Sequence, residues 1–206
     1  MSNITRNNKE KIFEGKIERR YKNYTLLMIF CLASIGLLFL SLSLSYFFNV
    51  RTNRQANLNF PILIYVNTIV IIFSSIALVF QEKYFAHNIF KKYIITNIIF
   101  YILVFLFITL QITIWFTLSN NGFNFKHNSS AFLFLISGFH VLHLLGGIIF
   151  LSYFTKNHWH NLHNNITALV FFTNKTAYFQ LKLFAYYWHF LTLVWIYLFF
   201  FFLIVK

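Results

Sequence analysis

Five apolar runs, at about 25–48, 61–80, 94–118, 131–154 and 183–205, decide what this chain can become. Each is close to or above the ~20 residues that cross a ~30 Å hydrocarbon layer as a helix. No water satisfies a backbone amide inside a bilayer, so each run must be helical to pair its own N–H and C=O groups. The expected fold class is therefore all-α: a polytopic membrane helix bundle with five transmembrane helices. Composition agrees, with 59% of the 206 residues hydrophobic, 10% charged, no Asp and four Glu. A soluble domain carries roughly 25% charged residues, which excludes one here. The shorter patch from Ile166 to Phe172 is too brief to span and is expected on the interface or against the bundle.

The formal net charge of +13 is distributed as membrane topology distributes it. Residues 1–24 hold seven of the 17 Lys and Arg, with Ile12, Phe13, Ile17, Tyr21 and Tyr24 near helical spacing. They read as a basic amphipathic segment on the inner side, leading into a bundle over residues 25–206. Glu10, Glu14 and Glu18 argue against a mitochondrial presequence, which is poor in acids. With the N-terminus inside, inner segments hold 13 cations and outer segments only Arg51, Arg54, Lys126 and Lys206. Cationic loops stay on the inner side, so the C-terminus is expected outside. Nucleic acid is not an expected partner, because a binder would gather its cations on one face of a folded module. A single cysteine, Cys31, rules out a disulfide or thiolate framework within the chain. No internal repeat or flexible linker divides the bundle.

Ion-coupled transporters keep carboxylates inside their spans, since a buried ionisable group is costly and retained for function. Beyond residues 1–24 the only acid is Glu82, at the inner end of the second run. No phosphate-binding loop, nucleophile elbow or dinucleotide glycine pattern occurs, and no catalytic residue is assigned. Histidines carry the remaining chemistry. His140 and His143 share one face of the fourth run, and His189 follows Tyr186-Tyr187-Trp188 in the last. Three readings stay open for them: axial haem ligands, contacts to lipid headgroups or a proton relay, and hydrogen bonding between helices. His158, His160 and His163 form an inner-loop cluster that matches zinc spacing only loosely, with no cysteine or acid to complete it.

The fourth run reads Ser137-Gly138-Phe139-His140-Val141-Leu142-His143, followed by Gly147 and Phe150-Leu151. The last reads Ala185-Tyr186-Tyr187-Trp188-His189-Phe190, followed by Val194-Trp195. In this order they resemble the last two helices of cytochrome c oxidase subunit III, where GFHGLH and WYWHFVDVVW segments occupy the same places. Pro61, Asn67-Thr68 and Ser74 in the second run and Gln111 in the third extend the resemblance more weakly. Members of that family usually have seven helices. Five runs resemble the form in which another subunit carries the first pair, or in which that pair is lost. Where the family carries acids, this chain has Ser34, Ile114, Lys182 and Thr192. Tyr46 matches a family tyrosine.

The resemblance implies a non-catalytic, lipid-binding subunit of a haem-copper terminal oxidase, with oxygen reduced by partner subunits. It implies no cofactor or metal in this chain. Haem and copper belong to subunits I and II, and bound phospholipids and accessory subunits are the other partners. The electron donor would be cytochrome c or quinol. The membrane would be the mitochondrial inner membrane with the N-terminus on the matrix side, or alternatively a bacterial plasma membrane. His140, His143, Trp188 and His189 are then lipid or interhelical polar contacts, and Gly138, Gly146 and Gly147 allow close helix packing. A b-type haem anchor of a respiratory dehydrogenase is the competing expectation. A transporter is disfavoured by the missing carboxylates and the lack of broken helices.

Overall fold

The computed structural model describes residues 2–52, 62–120, 128–159 and 173–205, with side chains for 18–50, 62–120, 131–156 and 173–205. Every element among them is a helix: α1 Ser2–Thr52, α2 Leu63–Ala86, α3 Phe90–Asn120, α4 Asn128–Trp159 and α5 Lys175–Val205. Each contains a stretch long and apolar enough to cross a membrane: Glu18–Val50, Leu63–Ala86, Phe90–Asn120, Ala131–Lys156 and Lys175–Val205. The five-helix, all-α architecture read from the apolar runs is the one observed, and a multi-pass membrane chain follows from it. The patch Ile166 to Phe172, together with His160, His163 and Pro61, lies outside the described residues, as does the side chain of His158.

Helix ends differ from the apolar runs. α5 starts at Lys175, eight residues before the run does. Asn174 caps it, its side-chain carbonyl accepting from the Thr176 N–H at 2.9 Å. A hydropathy run stops at Lys182, but the helix has no reason to. Ala177 and Leu181 are buried on one face while the Lys182 ammonium lies 5.9 Å from the Tyr186 ring. At the other end of the chain, residue 24 is no boundary in the backbone, because α1 runs unbroken from Ser2 to Thr52.

α2 and α3 form an antiparallel hairpin closed by a tight turn. The Asn88 N–H donates to Phe85 O at 3.1 Å and the Ile89 N–H to Tyr84 O at 3.0 Å. This is a Schellman ending, which needs a left-handed residue, and Asn88 supplies it at φ 57°. Two amide pairs bind the hairpin: Asn67 donates to Gln111 at 2.8 Å and Gln81 to Asn97 at 3.1 Å, all four residues buried.

α5 runs through the middle. Parallel to α1, it meets that helix at Tyr21 with Thr176 (3.1 Å), Gly36 with Phe190, and Tyr46 with Phe201 and Phe202. Against the hairpin it presses Trp188 onto Phe100 and Trp195 onto Phe107, with ring centroids 4.7 and 5.1 Å apart. α4 packs antiparallel to α1 on the far side. The core is thus an aromatic column along α5, with the α2–α3 hairpin on one flank and α1 with α4 on the other. α1 is the least covered span, with 11% of its most apolar window buried against 44% in α2.

Candidate functional site

The two segments that carry the family resemblance meet each other in the interior. Gly147 of α4 faces Tyr187 and Trp188 of α5: a Cβ there would lie 3.0 Å from Tyr187 Cε1 and 3.5 Å from Trp188 Cζ3. One turn earlier on α4, the His143 carbonyl accepts from the Tyr187 hydroxyl at 2.8 Å. Another turn earlier, the His140 ring lies 4.9 Å from the Trp195 ring. Of the three glycines expected at close approach, only Gly147 is at one. A Cβ on Gly138 or Gly146 would meet nothing within 4 Å. Gly146 instead opens onto an apolar groove of about 310 Å³ between α1, α4 and α5, lined also by Cys31, Phe150 and Tyr187.

The expected polar contacts separate into different environments. Trp188 is fully buried and its indole N–H donates to Ser74 Oγ at 3.1 Å, Ser74 in turn donating to Ile71 O. Beside it His189 hydrogen-bonds Ser75 through Nδ1. A tryptophan N–H buried without a partner would cost about 1–3 kcal/mol, so these hydroxyls fix where α5 sits along α2. The same device recurs two turns on, where Trp195 donates to Thr68 Oγ1 at 3.2 Å. His143 is half-buried and its Nδ1–H donates to the Phe139 carbonyl on its own helix at 2.6 Å. Sequence reasoning singled out the indoles and imidazoles, and Thr68 and Ser74 on α2, but not Ser75, which partners His189. Thr68 and Ser74 lie six residues apart on α2, against seven between Trp188 and Trp195 on α5, and spacing alone does not pair them.

His140 differs from its neighbours. Its side chain is fully buried, with Phe39 of α1, Phe107 of α3 and Trp195 of α5 around the ring at centroid distances of 6.0, 6.2 and 4.9 Å. Neither ring nitrogen has a hydrogen-bond partner. Four helices therefore build this pocket, and no single one of them reveals it.

None of the four positions that the resemblance aligns with acids carries a carboxylate. Ser34 and Thr192 donate to carbonyls of their own helices, Phe30 O at 2.8 Å and Trp188 O at 3.0 Å. Ile114 is core, 1% exposed, and Lys182 lies over an aromatic ring. Glu82 is half-buried with the Tyr178 hydroxyl 3.5 Å away. Among the described residues no three of His, Cys, Asp and Glu gather as metal ligands would. The arrangement can bind helices to one another and offer apolar surface to neighbours. No protein-family model matches this chain, and no curated protein matches it.

Proposed function

We propose that this chain is a non-catalytic membrane subunit of a haem-copper terminal oxidase, resembling subunit III, which supports oxygen reduction carried out on haem and copper in partner subunits. One observation carries the reading. The two resembling segments, 137–147 and 185–195, pack directly on each other through Gly147, His143 and His140 against Tyr187, Trp188 and Trp195. That contact supports reading the two segments as one unit.

The rest of the molecule suits a scaffold. Its interior is closed by hydroxyl–indole and amide pairs rather than by carboxylates. Large side chains such as Leu27, Phe30, Leu37 and Phe48 leave α1 with a broad apolar face for partner subunits I and II, accessory subunits or phospholipids. Location in the mitochondrial inner membrane with a matrix-side N-terminus, or in a bacterial plasma membrane, belongs to the same proposal.

The haem-anchor alternative requires two imidazoles facing each other across a porphyrin. Here three aromatic rings surround His140 and a serine of α2 holds His189. The test is to isolate the native complex, identify this chain in it by mass spectrometry, and record the reduced-minus-oxidised spectrum with and without His140→Phe. An unchanged haem-to-complex ratio is expected. Loss of one haem in the variant would overturn the scaffold reading.

A further inference from the structure

Around His140 the bundle leaves a group of buried polar atoms with nothing to bond. Nδ1 and Nε2 of His140, Oγ of Ser43 and the hydroxyl of Tyr46 all lack partners, and the three residues are at most 1% exposed. The Phe39 ring lies against His140, and Ser43 and Tyr46 follow Phe39 by one and two turns on the same buried face of α1. α1 and α4 run in opposite directions, and helical side chains lean toward the N-terminus of their own helix. The His140 and Ser43 side chains therefore lean toward one another. Tyr46, next along this face, packs on Phe201 and Phe202, two turns beyond Trp195 on α5. Between Phe39 and Tyr46, Ser43 is the one short side chain of this face.

A neutral imidazole presents one N–H and one lone pair, and each hydroxyl both donates and accepts. An occupant must therefore do both and be small enough for an aromatic enclosure. A cation fits poorly, because one imidazole and two hydroxyls include no carboxylate or thiolate. We propose that an ordered internal water site lies between His140 and Ser43, which serve as its ligands. Buried waters are held by two to four polar partners of this kind. Such a site joins α1, the least covered helix, to α4 through hydrogen bonds that the protein atoms alone do not make. It does not depend on the oxidase reading.

The test uses the full chain in lipid nanodiscs with ¹⁵N-labelled histidine and water-edited solid-state NMR. The His140 ring signal is assigned by its proximity to the Trp195 ring. The expected result is rapid polarisation transfer from water to a His140 ring nitrogen, abolished in Ser43→Val, whose extra methyl groups fill the site. Absence of transfer in the native chain, or transfer unchanged in a folded Ser43→Val, overturns the proposal. If that variant does not fold, a density map of the native protein at better than about 2 Å decides the matter, since a water is held within ~2.7–3.2 Å of its partners. Density at hydrogen-bonding distance from both His140 and Ser43 supports the site, and a dry enclosure rejects it.

Discussion

A hydroxyl on α2 waits for each large indole of α5: Ser74 for Trp188 and Thr68 for Trp195. Removing one partner leaves the other buried and unpaired, which makes the single changes informative. Ser74→Ala is expected to destabilise the detergent-solubilised protein by about 1 kcal/mol in thermal or denaturant unfolding. In Trp188→Phe the loss of Ser74 as acceptor adds little on top, so the double variant should fall short of the sum. At Gly147 the constraint is space. Gly147→Ala pushes a methyl to 3.0 Å from a Tyr187 ring that is itself held by its bond to the His143 carbonyl. That substitution should cost about 1–3 kcal/mol by overpacking. Gly138→Ala and Gly146→Ala, with open space at the Cβ position, should leave the melting temperature unchanged or slightly raised. This ordering distinguishes a true close approach from glycines that merely sit in a helix. The sequence alone placed all three on equal terms, because helical phase shows which residues share a face but not what stands opposite.

Between elements, the α2–α3 hairpin is specified twice, by its turn and by its amides. Asn88 at φ 57° adopts a conformation that a β-branched residue strongly resists. Asn88→Gly should therefore be tolerated, while Asn88→Val should destabilise by about 1–2 kcal/mol, read as a shift in melting temperature. Across the helices, Gln111→Leu strands the Asn67 donor and should cost more than Asn67→Leu with Gln111→Leu together. Transmembrane hydrogen bonds average ~0.6 kcal/mol, so these are differences of a few degrees rather than collapse. The elements themselves were legible for a strong reason: ~20 apolar residues in a row admit only a helix in lipid. Their ends were not. A hydropathy reading stops at Lys182, whereas the backbone continues to the Asn174 cap because the ammonium can reach over Tyr186 while Leu181 stays buried. His140 was legible as a residue worth naming, but its enclosure was not. Phe39, Phe107 and Trp195 come from three other helices, and no spacing within one helix encodes their meeting.

At the scale of the whole molecule, packing and charge support separate conclusions. Packing makes α5 the axis and leaves α1 widely open, so a chain of this design is expected to be completed by neighbours. Charge supports the proposed orientation: with the N-terminus inside, 13 of 17 cations fall on the inner side. A reporter fused after Lys206 should therefore be reached by membrane-impermeant reagents only from the outer face. The central claim, membership of a haem-copper oxidase, is tested most directly by purifying the native complex through this chain and measuring its copper content and haem type together. The account expects copper and a-type or o-type haem in fixed proportion to the chain. A complex with b-type haem and no copper would contradict it.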